Sequence, residues 1–163
     1  MIKKKILLLG SFAVGKTSLV KRYVYSIFSE KYHTTIGVKI DQKDIMVDAA
    51  NVRLIIWDIH GDDEFQKIHS SYLTGTSGFL LVIDCTRKET LAKAMELKAF
   101  IHKTVGEVPF VLVMNKIDLE EDYDIEEEDL KESVASGMKL TRTSAKTGEG
   151  VEEAFLALVK LLL

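Results

Sequence analysis

One loop of eight residues constrains this chain more than any other feature of its sequence. Residues 10–17 read GSFAVGKT and fit the pattern G-x-x-x-x-G-K-[ST]. The apolar run 6–9 before the loop is typical of a buried strand, and apolar residues at helical spacing follow over 17–25. A loop between a strand and a helix N-terminus directs backbone N–H groups at phosphate oxygens. The segment therefore predicts binding of a nucleoside triphosphate.

Two side chains of this loop carry chemistry of their own. Lys16 supplies positive charge to the terminal phosphates, and the Thr17 hydroxyl is a candidate ligand of Mg²⁺. The remaining predicted phosphate contacts are made by Gly10, Ala13, Val14, Gly15 and Ser18. Phosphates carry no base identity, so this loop does not choose between ATP and GTP.

A base-reading segment follows a later strand. Asn115, Lys116, Ile117 and Asp118 come directly after the apolar run 110–114, at the edge where open α/β sheets bind ligands. An Asp carboxylate accepts hydrogen bonds from the N1–H and 2-amino groups of guanine, whereas adenine presents a lone pair at N1. Residues 143–146 end another short apolar segment, and their backbone can offer an N–H to the guanine carbonyl oxygen. Together with the phosphate loop, these segments favour guanine.

Strands and helices alternate along the chain. Apolar runs at 6–9, 52–57, 78–84 and 110–114 predict strands, and helices are predicted at 17–25, 88–103, 126–135 and 151–163. Residues 48–51 favour a turn, which predicts an antiparallel hairpin between 42–47 and 52–57. The last helix places one apolar face inward, made of Val151, Ala154, Phe155, Leu158, Val159 and Leu162. We therefore predict a single α/β domain over residues 1–163 with a mixed sheet.

Composition excludes several classes of protein. The 22 Lys and Arg residues against 25 Asp and Glu give a net charge of −3, which argues against a nucleic-acid partner. The single cysteine, Cys85, cannot form an intramolecular disulfide and favours a reducing compartment, so we expect a cytoplasmic protein. No apolar run approaches the roughly 20 residues of a membrane helix.

Five segments in order resemble the Ras superfamily of small GTPases, in particular its Rab-like branch. They are the phosphate loop, TTIG at 34–37, WDIHG at 57–61, NKID at 115–118 and TSAK at 143–146. The resemblance covers essentially the whole chain. It implies a P-loop NTPase (small G-protein) fold, with a six-stranded mostly parallel sheet, one antiparallel strand and five helices. It also implies a GTP/GDP molecular switch that hydrolyses GTP to GDP and phosphate with Mg²⁺.

The resemblance also assigns residues to the terminal phosphate and the metal. Thr35 would coordinate Mg²⁺ beside Thr17, Asp58 would hold the ion through water, and Gly61 would contact the γ-phosphate. Loss of that phosphate would release the segments near Thr35 and Gly61, which would be the surface met by effector, exchange factor and activating proteins.

On the base side, Phe28 resembles the aromatic that packs against the guanine edge, and Tyr32 resembles the one that closes over the phosphates. Lys116 would lay its aliphatic stem over the base. The remaining contacts to guanine implied by the resemblance are Ser144, Ala145 and Lys146.

The chain departs from the family around Gly61. Asp62 stands where most relatives have the glutamine that orients the attacking water, and Asp is shorter, lacks an amide donor and carries a charge that repels phosphate. With Lys16, Thr35, Gly61 and Asp62 as the catalytic set, slow intrinsic hydrolysis is the prediction. His60 is an alternative water-positioning group. Phe12 and Ala13 fill loop positions where relatives favour small residues or glycine, and a bulky side chain there could crowd a water-positioning group or an arginine finger.

Two other functions compete with slow hydrolysis. The first is a GTP-binding interaction module with little or no hydrolysis, which Asp62, Phe12 and Ala13 favour. The second is a P-loop ATPase or small-molecule kinase, which leaves residues 115–118 unexplained. Either rival keeps the phosphate loop as a binding site.

The carboxyl end departs as well. No cysteine lies near the terminus, so no prenyl anchor is evident in this chain. Residues 161–163 are all leucine and can pack in the core, meet a partner or touch lipid, and core packing is the expectation. We expect a monomer.

Overall fold

The sheet has the architecture that the resemblance implies. The computed structural model describes residues 1–30, 37–59 and 68–163, and within them six strands form one sheet in the order β2-β3-β1-β4-β5-β6. Among the strands of these described ranges, the β2–β3 pair alone is antiparallel. The strands are β1 (Ile2–Leu9), β2 (Val38–Val47), β3 (Ala50–Ile59), β4 (Gly78–Asp84), β5 (Phe110–Asn115) and β6 (Leu140–Arg142).

Five α-helices and a short 3₁₀ helix occupy the same described ranges. The α-helices are α1 (Lys16–Tyr25), α2 (Ser70–Leu73), α3 (Glu89–Val105), α4 (Glu127–Ala135) and α5 (Val151–Leu162), and the 3₁₀ helix is Glu120–Asp122. The predicted helices are confirmed, with ends that differ by one or two residues. Across the described part of the chain, no helix combines the length and the apolar character needed to cross a bilayer.

The β2–β3 hairpin turns more tightly than the sequence predicts. Val47 pairs with Ala50, so the turn contains only Asp48 and Ala49, with φ values of 47° and 69°. Two left-handed residues in succession are typical of a type I′ turn, whose twist suits a hairpin. The predicted turn over 48–51 is therefore wrong at Ala50 and Asn51, which lie in β3.

Each face of the sheet has its own hydrophobic core. Ile6 and Leu8 of β1 pack with α1 and α5 on one face, while Leu7 and Leu9 pack with α3 on the other. This alternation follows from the two-residue period of a strand. The predicted inner face of α5 is confirmed, with five of its six residues buried and the sixth, Leu162, packed against the core. Leu161 and Leu163 are half exposed, so the predicted core packing of 161–163 is wrong for these two.

The parallel strands place four polar segments at one edge. Because β1, β4, β5 and β6 run the same way, the segments that follow them share the carboxyl edge of the sheet. Those segments begin at Gly10, Cys85, Lys116 and Thr143. Asp58 of β3 lies beside Leu8 of β1 at the same edge. The phosphate loop, residues 115–118, residues 143–146 and Asp58 therefore converge there.

Candidate functional site

The phosphate loop closely approaches its neighbours at both ends. A Cβ atom at Gly10 would collide with the Val82 carbonyl oxygen of β4, and one at Gly15 would collide with the Asn115 side chain. Gly15 also has a φ of 100°, a conformation that residues with a Cβ rarely adopt. Glycine is thus required at both positions for the loop to fit between β4 and β5.

Lys16 folds back over the loop that precedes it. Its side chain is buried, and Nζ donates hydrogen bonds to Gly10 O at 3.1 Å and Ser11 O at 3.2 Å. A buried ammonium is costly unless strong acceptors surround it. The group therefore places a fixed positive charge against the loop, which suits the terminal phosphates of a nucleotide.

Thr17 and Asp58 supply the oxygen atoms expected of a magnesium site. Thr17 Oγ1 donates to Asp58 Oδ2 at 2.5 Å, and Asp58 is buried. A hydroxyl and a carboxylate at the terminal-phosphate end of the loop are the hard oxygen donors that Mg²⁺ prefers. The donor set therefore fits Mg²⁺, which the Thr17 hydroxyl and the Asp58 carboxylate would hold.

Asn115, at the end of β5, forms hydrogen bonds to both the phosphate loop and the segment after β6. Its Nδ2 donates to Val14 O at 3.0 Å, and its Oδ1 accepts from Thr143 Oγ1 at 3.0 Å. Both Asn115 and Thr143 are buried, so the two bonds are shielded from water. Asn115 thus holds the phosphate loop in place and links it to the segment after β6.

Lys116 also reaches the phosphate loop. Its Nζ donates to Ala13 O at 2.8 Å and lies 2.8 Å from Oδ2 of Asp84, at the end of β4. Burial tends to raise the pKa of the Asp84 carboxyl, but hydrogen bonds from Lys116 and Thr86 outweigh burial and hold it below its usual range. Asp84 is therefore an ionised anchor, and nothing in the sequence pattern singles it out.

Asp118 is oriented by the segment after β6. Ser144 is buried, and its Oγ donates to Asp118 Oδ1 at 2.7 Å, while Asp118 itself is exposed. A carboxylate held at one oxygen keeps lone pairs for donors in solution. The remaining acceptors of the Asp118 carboxylate suit the N1–H and 2-amino donors of guanine. The sequence predicts a role for Ser144 only as part of a backbone segment, so its hydroxyl is a new element of the site.

Arg22 is a site residue that the sequence does not reveal. From α1, its Nε donates to Ala145 O at 2.8 Å and its Nη2 donates to Lys146 O at 2.6 Å. These bonds fix the direction of the two carbonyls, and the Thr147 N–H that follows them donates to Ser144 Oγ at 3.1 Å. Lys146 Nζ forms an exposed ion pair with Glu30 at 3.3 Å.

Some of the remaining predicted contacts lie in the described part of the chain, and others lie outside it. Phe28 is partly buried against the core formed with α1 and α5, and Ser18 lies in the first turn of α1. Phe12 is 44% exposed, and Ala13 has a φ of 62°. Four predicted site residues, together with the alternative His60, lie outside the described residues: Tyr32, Thr35, Gly61 and Asp62.

Comparison with known proteins gives a consistent result. The model of the Ras family matches residues 5–163. The Ras-related protein Rab-21 of Homo sapiens is 37% identical over 163 residues, which is 98% of this chain and 72% of the relative. Rab-12 of Mus musculus is 35% identical over 164 residues, covering 99% of this chain and 68% of the relative. The chain therefore belongs to the Ras superfamily and is a Rab-like small GTPase.

Proposed function

We propose that this chain is a guanine-nucleotide switch that binds GTP and GDP with Mg²⁺ and hydrolyses GTP slowly. The observation that carries the proposal is the fastening of the base-reading segment to the phosphate loop. Asn115 donates to Val14 O and Lys116 donates to Ala13 O, both from the segment that contains Asp118. A single ligand with a base at one end and phosphates at the other spans these joined segments.

Each end of the site has a defined role in binding. The loop backbone from Gly10 to Thr17 and the Lys16 ammonium hold the phosphates, and Asp118 accepts from the guanine N1–H and 2-amino groups. Thr17, Asp58 and, from the resemblance, Thr35 hold Mg²⁺. When bound, the ion neutralises phosphate charge that would otherwise repel an attacking water.

Slow hydrolysis follows from Asp62. Water must be aligned with the γ-phosphate, and the amide of the usual glutamine both accepts from the water and donates to the developing charge. A carboxylate at this position offers no donor and repels the same charge. Lys16 and the backbone N–H of Gly61 remain to stabilise the transferred charge. A GTP-binding interaction module with little or no hydrolysis is the second candidate, and it rests on the same substitution.

The proposal also includes recognition of the nucleotide state by partner proteins. The segments that contain Thr35 and Gly61 would present one surface with GTP and another with GDP, and effector, exchange factor and activating proteins would read that surface. We propose a monomer that acts in the cytoplasm.

A single-turnover measurement tests this function. The purified chain is loaded with GTP and Mg²⁺, free nucleotide is removed, and bound GTP and GDP are followed by chromatography. We expect GTP to persist for hours in the natural chain and to disappear at least about tenfold faster in Asp62→Gln, which restores the amide. Asp63→Gln is the matched control and should leave the rate unchanged.

Three results would change the proposal. Complete retention of GTP in both the natural chain and Asp62→Gln favours the interaction module. Rapid conversion in the natural chain contradicts the role of Asp62 and turns attention to His60. Failure of the chain to retain any guanine nucleotide contradicts the proposed function as a whole.

A further inference from the structure

Asp84 is a buried residue at the end of β4, and its carboxylate accepts hydrogen bonds from the segment that follows β4 and from Lys116. Its Oδ1 accepts from the backbone N of Thr86 at 2.8 Å and from Thr86 Oγ1 at 2.6 Å. Its Oδ2 accepts from Arg87 Nε at 3.1 Å and from Lys116 Nζ at 2.8 Å. Asp84 therefore fixes two cations side by side.

Both cations reach onward to the phosphate loop. Arg87 Nη2 donates to Phe12 O at 2.6 Å, and Lys116 Nζ donates to Ala13 O at 2.8 Å. The two acceptors are consecutive carbonyls of one loop. In a trans peptide the C=O and the following N–H point in opposite directions. A cation that holds Phe12 O thus also sets the direction of the Ala13 N–H.

The loop needs such support at this point. Ala13 has a φ of 62°, in the left-handed region that residues with a Cβ rarely occupy. A strained residue keeps its conformation only when its surroundings determine it. The backbone of the Phe12–Ala13 peptide is held through the bond from Arg87 Nη2 to Phe12 O.

We propose that Arg87 is a positioning residue of the phosphate loop, which fixes the Phe12–Ala13 peptide so that its N–H is aimed at the nucleotide phosphates. The inference rests on the proposed function. Its consequence is slow release of nucleotide, because a donor already in place costs nothing to order on binding. The planar guanidinium is needed since Nε holds Asp84 while Nη2 holds the loop, and a lysine has one nitrogen for both.

Three variants of the full chain test the role of Arg87. Arg87→Ala removes both bonds, and Arg87→Lys keeps the charge without the fork. Lys88→Ala is the matched control, because it removes one positive charge at the next residue, whose Nζ pairs with Asp129 of α4 at 2.9 Å. The first readout is the release rate of a fluorescent GDP analogue in the presence of Mg²⁺.

A second readout isolates the peptide itself. Phe12–Ala13 is the only Phe-Ala pair in the sequence, so labelling Phe with ¹³C at the carbonyl and Ala with ¹⁵N gives one HNCO peak for this peptide. Loss of the hydrogen bond to Phe12 O shifts the carbonyl resonance. This measurement needs no nucleotide, so it tests Arg87 even if the proposed function fails.

We expect Arg87→Ala to release GDP roughly 5- to 10-fold faster, the scale of one charge-assisted hydrogen bond from a partly exposed side chain. Arg87→Lys should release GDP about as fast as Arg87→Ala, and the release rate of Lys88→Ala should stay within about twofold of the natural chain. The Phe12–Ala13 peak should shift only in the Arg87 variants. An unshifted peak in Arg87→Ala overturns the proposal, and so does equal acceleration in Lys88→Ala. A natural chain that binds no guanine nucleotide instead contradicts the proposed function.

Discussion

The base-reading segments and the phosphate loop differ in how much positive charge holds them in place. On the base side, Asn115 and Thr143 are joined at 3.0 Å, Ser144 orients Asp118 at 2.7 Å, and Arg22 is the cation that holds the backbone. On the phosphate side, the cations Lys16, Arg87 and Lys116 all donate to loop carbonyls, beside the neutral amide of Asn115. A polyanion needs positive charge near it, whereas a neutral base needs shape and fixed donors and acceptors. The two regions therefore match the two ends of one nucleotide.

The difference predicts how each region responds to substitution. On the phosphate side, loss of a cation removes affinity for every nucleotide alike, because all of them share the phosphates. On the base side, loss of a polar group changes which base is preferred. Substitutions that fail to separate in this way would show that the two regions do not serve one ligand.

Lys16→Ala should have the largest effect. The ammonium is buried against the loop, so its loss removes a close charge-assisted contact to phosphate, and we expect GTP and GDP affinity to fall on the order of 100- to 1000-fold. Lys21→Ala on the same helix is the control. Equilibrium titration with fluorescent nucleotides measures both, and a Lys16→Ala chain that binds GDP normally would refute the phosphate role of Lys16.

Asp118→Asn should weaken guanine binding by roughly 100-fold, because an amide cannot accept from both guanine donors at once. Xanthine nucleotides should gain affinity, since the new amide N–H meets the xanthine carbonyl. Competition between GDP and XDP measures the exchange of preference. Asp122→Asn, in the neighbouring 3₁₀ helix, should keep guanine preference. Unchanged GDP affinity in Asp118→Asn would remove the assignment of Asp118 as base reader.

Thr143→Val should have a moderate effect on both regions. The substitution conserves shape but deprives the buried Asn115 Oδ1 of its donor, so we expect about 1–2 kcal/mol lower stability and a few-fold faster GDP release. Thr141→Val is the matched control in β6, because Thr141 Oγ1 is buried without a hydrogen-bond partner among the described residues. Denaturant unfolding of the two variants should separate them, and equal stability would refute the Asn115 linkage.

Cys85 should affect nucleotide binding least. Burial, with smaller contributions from the charges of Asp84 and Asp118, raises the pKa of the Cys85 thiol to about 11. The thiol should therefore react with iodoacetamide at pH 8 at least about 100-fold slower than a free cysteine, since so little thiolate is present. Rapid labelling of the folded chain at pH 8 would contradict this.

The raised pKa of Cys85 also predicts how the free energy of unfolding changes with pH. Because the thiolate forms first in the unfolded chain, this group favours the folded state fully below the unfolded pKa of about 9, and its contribution is lost as pH rises toward 11. Comparison of Cys85→Ala with the natural chain across that range measures the contribution.

The sequence predicts the strands of the sheet and the position of the phosphate loop, and it does so because both are marked by local patterns. Buried parallel strands are continuous apolar runs, and the phosphate loop is a contiguous pattern with required glycines at positions 10 and 15. The turn at Asp48 and Ala49 is harder to predict, because neither residue is glycine although both adopt positive φ. Strand β6, with three residues, and helix α2, with four, are too short for periodicity to indicate.

The residues that hold the site together were not predictable in the same way. Arg22 contacts Ala145 O across 123 residues, and Arg87 contacts Phe12 O across 75. Their acceptors are backbone carbonyls, which every residue has, so no residue pattern marks the pairing. Asp84 is similar, because a carboxylate at the end of a buried strand gains its role only from the two cations that the fold brings to it.

Nucleotide selectivity tests the central claim most directly. The natural chain is loaded with a fluorescent GDP analogue and Mg²⁺, and displacement is measured with GTP and, separately, with ATP. Joined base-reading and phosphate-binding segments predict displacement of roughly half of the bound analogue by equimolar GTP and nearly all of it by a roughly 100-fold excess of GTP. The same excess of ATP should displace little, because the Asp118 carboxylate opposes the adenine N1 lone pair. Equal displacement by ATP and GTP would contradict guanine recognition by this site.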